Sequence, residues 1–362
     1  MLDSYDTEID LLENFVEAIH EIPNARTKIK GREIATSERG TIDAVVELYL
    51  ASEKHTLLIE AKRSVFPRDV RQAIWQMNSY KSGSNSSQIK NAHMILIAEA
   101  ISPGAREILR QEEIGYYDRG GSLFLPMGGA FIYIDKPAPR PMKKEYVSVF
   151  KGARSRVLKS LFSMEREWTN VKEITQIARV SQATVSQTLQ ELERREWVEV
   201  RGGGPAKLRR LEQPGEILDA WVGFLEDQKP PEMRRFYIPH QDADHFVFNI
   251  QLTLKEHGIL NAYTGLVGAQ AYSPYLTKIS QLHCRLCSNK QEYKALTELD
   301  AKSVTEGWNF AIIDVPANDF IGTEQINNLQ VCSPLQIYLD LVHESGRAKE
   351  IAQHLRSERL QF

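Results

Sequence analysis

A multidomain α/β fold is predicted by three features of the sequence. Residues 1–138 alternate between the 3.6-residue period of amphipathic helices and the two-residue period of strands. Two proline- and charge-rich stretches, DKPAPRPMKKEY (135–146) and EDQKPPEMRRFY (226–237), punctuate the chain in the manner of linkers. Between them lies a basic run of three helical segments followed by a glycine-rich reversal. At 362 residues the chain is long enough for two or three cores. The expected domains are 1–138, mixed α/β; 146–225, three helices with a hairpin; and 232–362, α+β.

In the first domain Leu11, Leu12, Phe15, Val16 and Ile19 recur with helical period, which predicts a helix over 5–20. TIDAVVELYLA (41–51) alternates, with Ile42, Ala44, Val46 and Leu48 on one face, and HTLLIEAKRSV (55–65) follows a short polar turn. These two form a hairpin. A helix over 68–81, a buried strand over 92–100, a helix over 104–112 and a hairpin over 114–125 complete the domain.

LLIEAKRS (57–64) carries a carboxylate and an ammonium within an otherwise apolar strand. Leu58, Glu60 and Lys62 share a face, because side chains repeat every two residues. If residues 51–55 make the turn, antiparallel pairing sets Asp43 opposite about residues 62–64 and brings Asp43, Glu60 and Lys62 to one sheet end. Two carboxylates in proximity repel, and a divalent cation with hard oxygen ligands, Mg2+ or Mn2+, relieves the repulsion. Such an ion beside a phosphodiester activates water, while a neighbouring lysine neutralises developing charge.

Asp43, then Glu60-Ala61-Lys62, in helix-strand-strand-helix order, resembles the PD-(D/E)xK, or restriction-endonuclease-like, nuclease superfamily over about the first 130 residues. The resemblance implies Asp43, Glu60 and the Ala61 carbonyl as metal ligands and Lys62 as the catalytic lysine. Some members add a glutamate from the first helix and a glutamine from the helix after the motif. Glu13 or Glu17 and Gln72 or Gln76 stand where those would fall, with Gln72 taken as the catalytic candidate. Ile42 replaces a proline that many members carry.

Residues 151–210 hold 13 Lys and Arg against 7 Glu and no Asp, a net charge of +6, whereas the whole chain is at -3 and the remainder therefore at -9. GARSRVLKSLFSM, VKEITQIARV and SQATVSQTLQELERREWV suit three helices, the third capped by Ser181. VEVRGGGPAKLRRLEQ suits a hairpin with its tip at Gly202-Gly203-Gly204-Pro205. Helices and hairpin together predict a winged helix-turn-helix. With Val185, Leu189 and Leu192 buried, the third helix turns Ala183, Gln187, Gln190 and Arg194 outward, with Gln182 and Ser186 near its entering end. Gln pairs bidentately with adenine and Arg with guanine, so these are the candidate base contacts. Ser155, Arg156, Lys207, Arg209 and Arg210 are candidates for phosphate contact. Residues 177–200 resemble the helix-turn-helix of many bacterial regulators.

In the third domain 262–276 suits a small-residue helix, 308–316 a buried strand, and 333–360 helices separated by Ser345-Gly346. QIYLDL (336–341) and GRAKE (346–350) resemble the C-terminal region of AbiEi-type antitoxins of type IV toxin-antitoxin systems. That family's domain is similar in fold to nucleotidyltransferases, which need Gly-Ser followed by paired carboxylates. Leu266 follows Gly265 here, so transfer chemistry is not expected, and Asp314, Asp319, Asp340 and His343 are assigned structural or solvated roles. AbiEi-type antitoxins carry the winged helix at the N-terminus, and the preceding nuclease-like domain departs from that arrangement. The CxxC of Cys284 and Cys287 has no second pair to complete a zinc site, and three cysteines suit a reducing compartment.

No apolar run reaches the roughly 18 residues of a membrane span, and the acidic start MLDSYDTEIDLLENF is unlike a signal peptide, so a cytoplasmic location is expected. The composition is that of a soluble globular protein. The function expected is hydrolysis of DNA phosphodiesters by a metal-dependent site targeted by the winged helix. Homodimerisation would supply the second active site for a double-strand cut. The alternative is an AbiEi-type antitoxin or transcriptional regulator, with a toxin or other protein partner, in which the nuclease-like domain grips DNA without cutting.

Overall fold

Strands and helices alternate along the first 134 residues because apolar residues change from period two to period 3.6 several times over. The computed structural model describes residues 2–35, 41–50, 53–83, 86–127, 130–137, 149–164, 167–240, 243–273, 281–344 and 346–362. Packing divides the chain into two compact units, Met1–Val147 with Leu192–Glu196, and Ser148–Glu191 with Trp197–Phe362. The two C-terminal domains expected from the sequence thus fall within one unit. The expected linker at 135–146 lies largely outside the described residues.

The first unit is built on one seven-stranded mixed sheet whose spatial order follows the chain. Its elements are α1 (Leu2–His20), β1 (Arg26–Ala35), β2 (Thr41–Leu50), β3 (Glu53–Val65), α2 (Pro67–Gly83), α3 (Ser87–Lys90), β4 (His93–Ile101), α4 (Pro103–Gln111), β5 (Gly115–Asp118), β6 (Leu123–Met127) and β7 (Ala130–Ile134). β1, β2 and β3 form an antiparallel meander, β3, β4 and β5 run parallel, and β6 and β7 close the sheet antiparallel. Parallel neighbours need crossovers, which α2 and α4 supply. One sheet face packs Leu11, Leu12, Phe15 and Ile19 of α1 on Ala44, Val46, Ile59 and Ile97. The other packs Val70, Ala73 and Met77 of α2 and Ala105 and Leu109 of α4 on Ile42, Val45, Leu58 and Leu96. The result is a helix-sheet-helix sandwich.

The β2–β3 register differs from the expected one. Leu50 pairs with Glu53 and Ala44 with Ile59, so continuing the ladder sets Asp43 opposite Glu60 and not residues 62–64. The connection is shorter than the polar turn suggested, because Glu53 and Lys54 belong to the strand. β1 and β7 were not expected as strands. β1 reads RTKIKGREIA, a charged edge strand whose register shifts between Ile29 and Gly31.

The second unit opens with α5 (Gly152–Ser163), α6 (Val171–Ala178), α7 (Gln182–Arg194), whose last residues pack with the first unit, and the antiparallel pair β8 (Val198–Arg201) and β9 (Leu208–Leu211). α6 carries a reciprocal capping box between Asn170 and Glu173, and Ser181 accepts from the Thr184 amide at 3.2 Å at the start of α7. α8 (Pro214–Glu226) follows, then β10 (Arg234–Tyr237), α9 (Ala243–Glu256), β11 (Asn261–Thr264), α10 (Gly265–Tyr272), β12 (Leu282–Leu286), α11 (Glu292–Glu298), β13 (Lys302–Ser303), β14 (Phe310–Asp314), β15 (Glu324–Ile326), β16 (Leu329–Val331), α12 (Pro334–Asp340) and α13 (Arg347–Leu355). These strands form a second seven-stranded mixed sheet in the order β13-β10-β14-β12-β11-β16-β15. The segment 262–276, expected as one helix, is strand up to Thr264 and helix from Gly265, where φ is +61°. Residues 274–276 of that segment and Ser345 lie outside the described residues.

Candidate nuclease site and nucleic-acid interface

Three strand positions and one helix build the site in the first unit. Beyond the last β2–β3 ladder pair, Asp43 Oδ2 accepts from the Ala61 amide at 2.6 Å, so the Asp43 side chain takes over where strand pairing stops. Lys62 Nζ donates to Glu60 Oε1 at 2.6 Å. Glu60 is only 2% exposed, and its Oε2 is buried with no hydrogen-bond partner. A buried carboxylate oxygen left unsatisfied costs about 1–3 kcal/mol or more, which favours a ligand at that oxygen. Burial, and then the Glu60 charge, push the Asp43 carboxyl up to about 7 against the pull of the Ala61 amide and Lys62.

The donors here are hard oxygens, the kind a divalent cation takes. Asp43 and Glu60 present oxygens with excess negative charge, one of them unsatisfied, and the Ala61 carbonyl belongs to the residue whose amide anchors Asp43. The side-chain donors number two. Among the described residues no group of three or more His, Cys, Asp or Glu side chains could hold a metal ion.

Glu8 and Arg32, which sequence reasoning missed, line the same small cavity as Asp43, Ala44, Ile59 and Ala61. Glu8 lies close enough for its charge to raise the Asp43 carboxyl further. A signal was present in the sequence: Glu8 stands four, seven and eleven residues before Leu12, Phe15 and Ile19, so it extends the buried stripe of α1 with a carboxylate. Glu13 and Glu17, the expected α1 glutamates, are exposed, and Glu13 reaches Arg32 at 3.8 Å instead. Gln72 is exposed on α2, and neither it nor Gln76 lines the cavity at Asp43. That cavity lies on the α1 face of the sheet, whereas α2 packs through Val70, Ala73 and Met77 on the face that carries Leu58, and neither Glu60 nor Lys62 lines the cavity.

The α7 face divides as its periodicity requires. Val185, Leu189 and Leu192 are fully buried, while Gln182, Ala183, Gln187 and Gln190 are exposed and Ser186 is half-buried. Arg194 is engaged elsewhere: it donates to Asp69 Oδ2 at 2.9 Å and to the Ser64 carbonyl at 2.7 Å, with its guanidinium over the Phe66 ring. Two candidate phosphate contacts are buried. Ser155 donates its hydroxyl to the Gly152 carbonyl, and Arg209, 8% exposed, bridges its backbone to Thr169 and donates to the Lys207 carbonyl. Both occupy inward positions of their elements, which charge counting does not register. Arg156 is half-buried and donates to the Ala178 carbonyl at 3.2 Å, Arg210 pairs with Glu199 and lies over Trp168, and Lys207 is half-buried.

No protein-family model matches the chain, and no curated protein matches it. Two solved structures overlap part of it. One, described as an EndoMS complex with double-stranded DNA, is 20% identical with a TM-score of 0.24 and covers 34% of this chain and 46% of its own. The other, a repair endonuclease from Pyrococcus abyssi, is 19% identical with a TM-score of 0.23 and covers 33% of this chain and 47% of its own. This chain thus spans less than half the length of either, and the overlap is too partial to bear on function. Among the described residues no helix is long and apolar enough to cross a membrane.

Proposed function

We propose that the chain is a DNA-acting phosphodiesterase whose first unit carries the Asp43, Glu60, Lys62 site and whose winged helix, formed by α5 to α7 with β8 and β9, supplies targeting. The observation that carries this reading is the buried, unsatisfied Glu60 Oε2 beside Asp43, with Lys62 bound to the other Glu60 oxygen. Asp43, Glu60 and the Ala61 carbonyl would hold Mg2+ or Mn2+, which when bound supplies an activated water and positive charge at the scissile phosphate. Asp43 is held in place by the Ala61 amide. Lys62, 39% exposed at its side chain, keeps its ammonium on Glu60 while its exposed side faces solvent, where it can donate to a phosphate oxygen. The exposed glutamines of α7 offer amides for base edges, and the basic charge of residues 151–210 favours the phosphate backbone.

The test is incubation of plasmid and linear DNA with Mg2+ or Mn2+, comparing the parent with Lys62→Ala and Asp43→Asn. Cleavage by the parent, lost in both variants, is expected. Salt-sensitive DNA binding with no cleavage by the parent would replace this reading with that of a regulator that grips DNA without cutting.

A further inference from the structure

The second unit holds a cavity of about 210 Å3 at the junction of β11 and α10, lined among others by Arg235, Thr264, Gly265, His283, Asp340 and Glu344. α10 starts there without a side-chain cap, because the Thr264 hydroxyl donates to Asp340 Oδ2 at 2.5 Å. The first-turn amides of a helix have no partner within it and carry the positive end of its dipole. An independent observation concerns His283, paired with Thr264 across β12 and β11. It is 9% exposed, and its Nδ1 is buried with no hydrogen-bond partner. That nitrogen faces the first residue of α10: a Cβ built on Gly265 would stand 2.9 Å from it. Arg235 adds a guanidinium to the same wall, its other face on Trp308.

We propose that this cavity binds the phosphate group of a small solute, held by the α10 amides, His283 Nδ1 and Arg235. Helix amides, a ring N–H and a guanidinium converge from separate elements, which suits the several acceptor oxygens of a phosphate. The two carboxylates of the wall do not cancel this. Asp340 is neutralised by Arg285 at 3.0 Å and accepts also from Gln336 at 2.8 Å, and half-exposed Glu344 is screened by water. The cavity also adjoins an ion chain. Arg285 bridges Asp340 to Asp319 at 3.2 Å, and Asp319 accepts from Lys159 of α5 at 2.7 Å. A ligand at Thr264 and Asp340 therefore stands at one end of a buried charge network whose other end is the first helix of the basic segment.

The proposal is independent of the nuclease reading and is tested on the full chain by calorimetric titration with inorganic phosphate at constant ionic strength. Saturable binding of one phosphate is expected, weakened at least tenfold in His283→Phe and in Arg235→Gln and unchanged in Lys302→Gln, a surface control. Thermal melts report whether His283→Phe has folded, and Arg235→Gln, a change at an exposed strand residue, carries the test if it has not. No saturable binding, or equal binding by the parent and a folded Arg235→Gln, would overturn the assignment.

Discussion

Lys62 and Glu60 are bound to each other in a place where a Glu60 carboxylate alone would be costly. Removing the ammonium leaves Glu60 as a buried charge with neither oxygen engaged by a cation, so Lys62→Ala is expected to lower stability by about 1–3 kcal/mol as well as activity. Denaturant melts of the metal-free chain check this, and an unchanged midpoint would place the pair in solvent. Asp43→Asn works in the other direction. It removes one of two neighbouring carboxylates from a largely buried site yet keeps an acceptor for the Ala61 amide, so its melting temperature without divalent cation is expected to exceed the parent's. A lower one would mean that Asp43 serves stability rather than chemistry. Elsewhere, Glu47 accepts from Lys54, Lys30 and Tyr49, which hold its carboxyl down to about 2. A depressed carboxyl stabilises the fold above its ordinary value near 4.5 and ceases to do so as pH falls toward 2. The melting-temperature gap between the parent and Glu47→Gln is therefore wide at pH 7 and narrows below about pH 4.5; a gap independent of pH would refute the assignment. Of the candidate site, Asp43, Glu60 and Lys62 stand out in the sequence because charge interrupts apolar strands there. The spacing of Glu8 puts it on the buried stripe of α1, but which strands that stripe covers, and so the approach of Glu8 and Arg32 to Asp43, is set by tertiary packing and not by local spacing.

Among the elements, α7 was read almost residue by residue, because a single helical stripe determines both its buried and its exposed faces. Leu189→Ala is expected to cost about 2–5 kcal/mol in a chemical melt, as for other fully buried leucines. Gln187→Ala, on the exposed face, is expected to leave stability unchanged and to cost about 1–3 kcal/mol of discrimination between DNA sequences. Equal binding of all sequences by the parent would remove α7 from base recognition. β1 escaped the sequence reading for a physical reason. An edge strand needs no apolar face on its open side, and Lys28, Lys30 and Arg32 with the register shift before Gly31 protect that edge while erasing the alternation by which strands are recognised. β7 is five residues with Phe131 and Tyr133 exposed, too short and too uncovered to stand out. The β11–α10 junction was missed because Ala262 and Tyr263, buried on both sides of a central strand, continue without interruption into the small residues of the helix.

Over the whole molecule, charge and not sheet topology distinguishes the parts. The segment 151–210 carries +6 in a chain of -3, so binding to DNA is expected to weaken steeply with salt, and Lys207→Ala to reduce the slope of log K against log salt by about one unit. A salt-independent affinity would assign the basic residues to protein contacts. Both sheets were legible as mixed α/β layers, but the packing of the basic helices and the second sheet into one unit was not, because it rests on buried ion pairs such as Lys159 with Asp319 between residues 160 positions apart. The nuclease site is tested by the rate of plasmid cleavage in Mg2+ by the full chain and by its Lys62→Ala variant. Cleavage by the parent, reduced by two orders of magnitude or more in the folded variant, is the result predicted. Equal rates in the two proteins, or none in either, would contradict it.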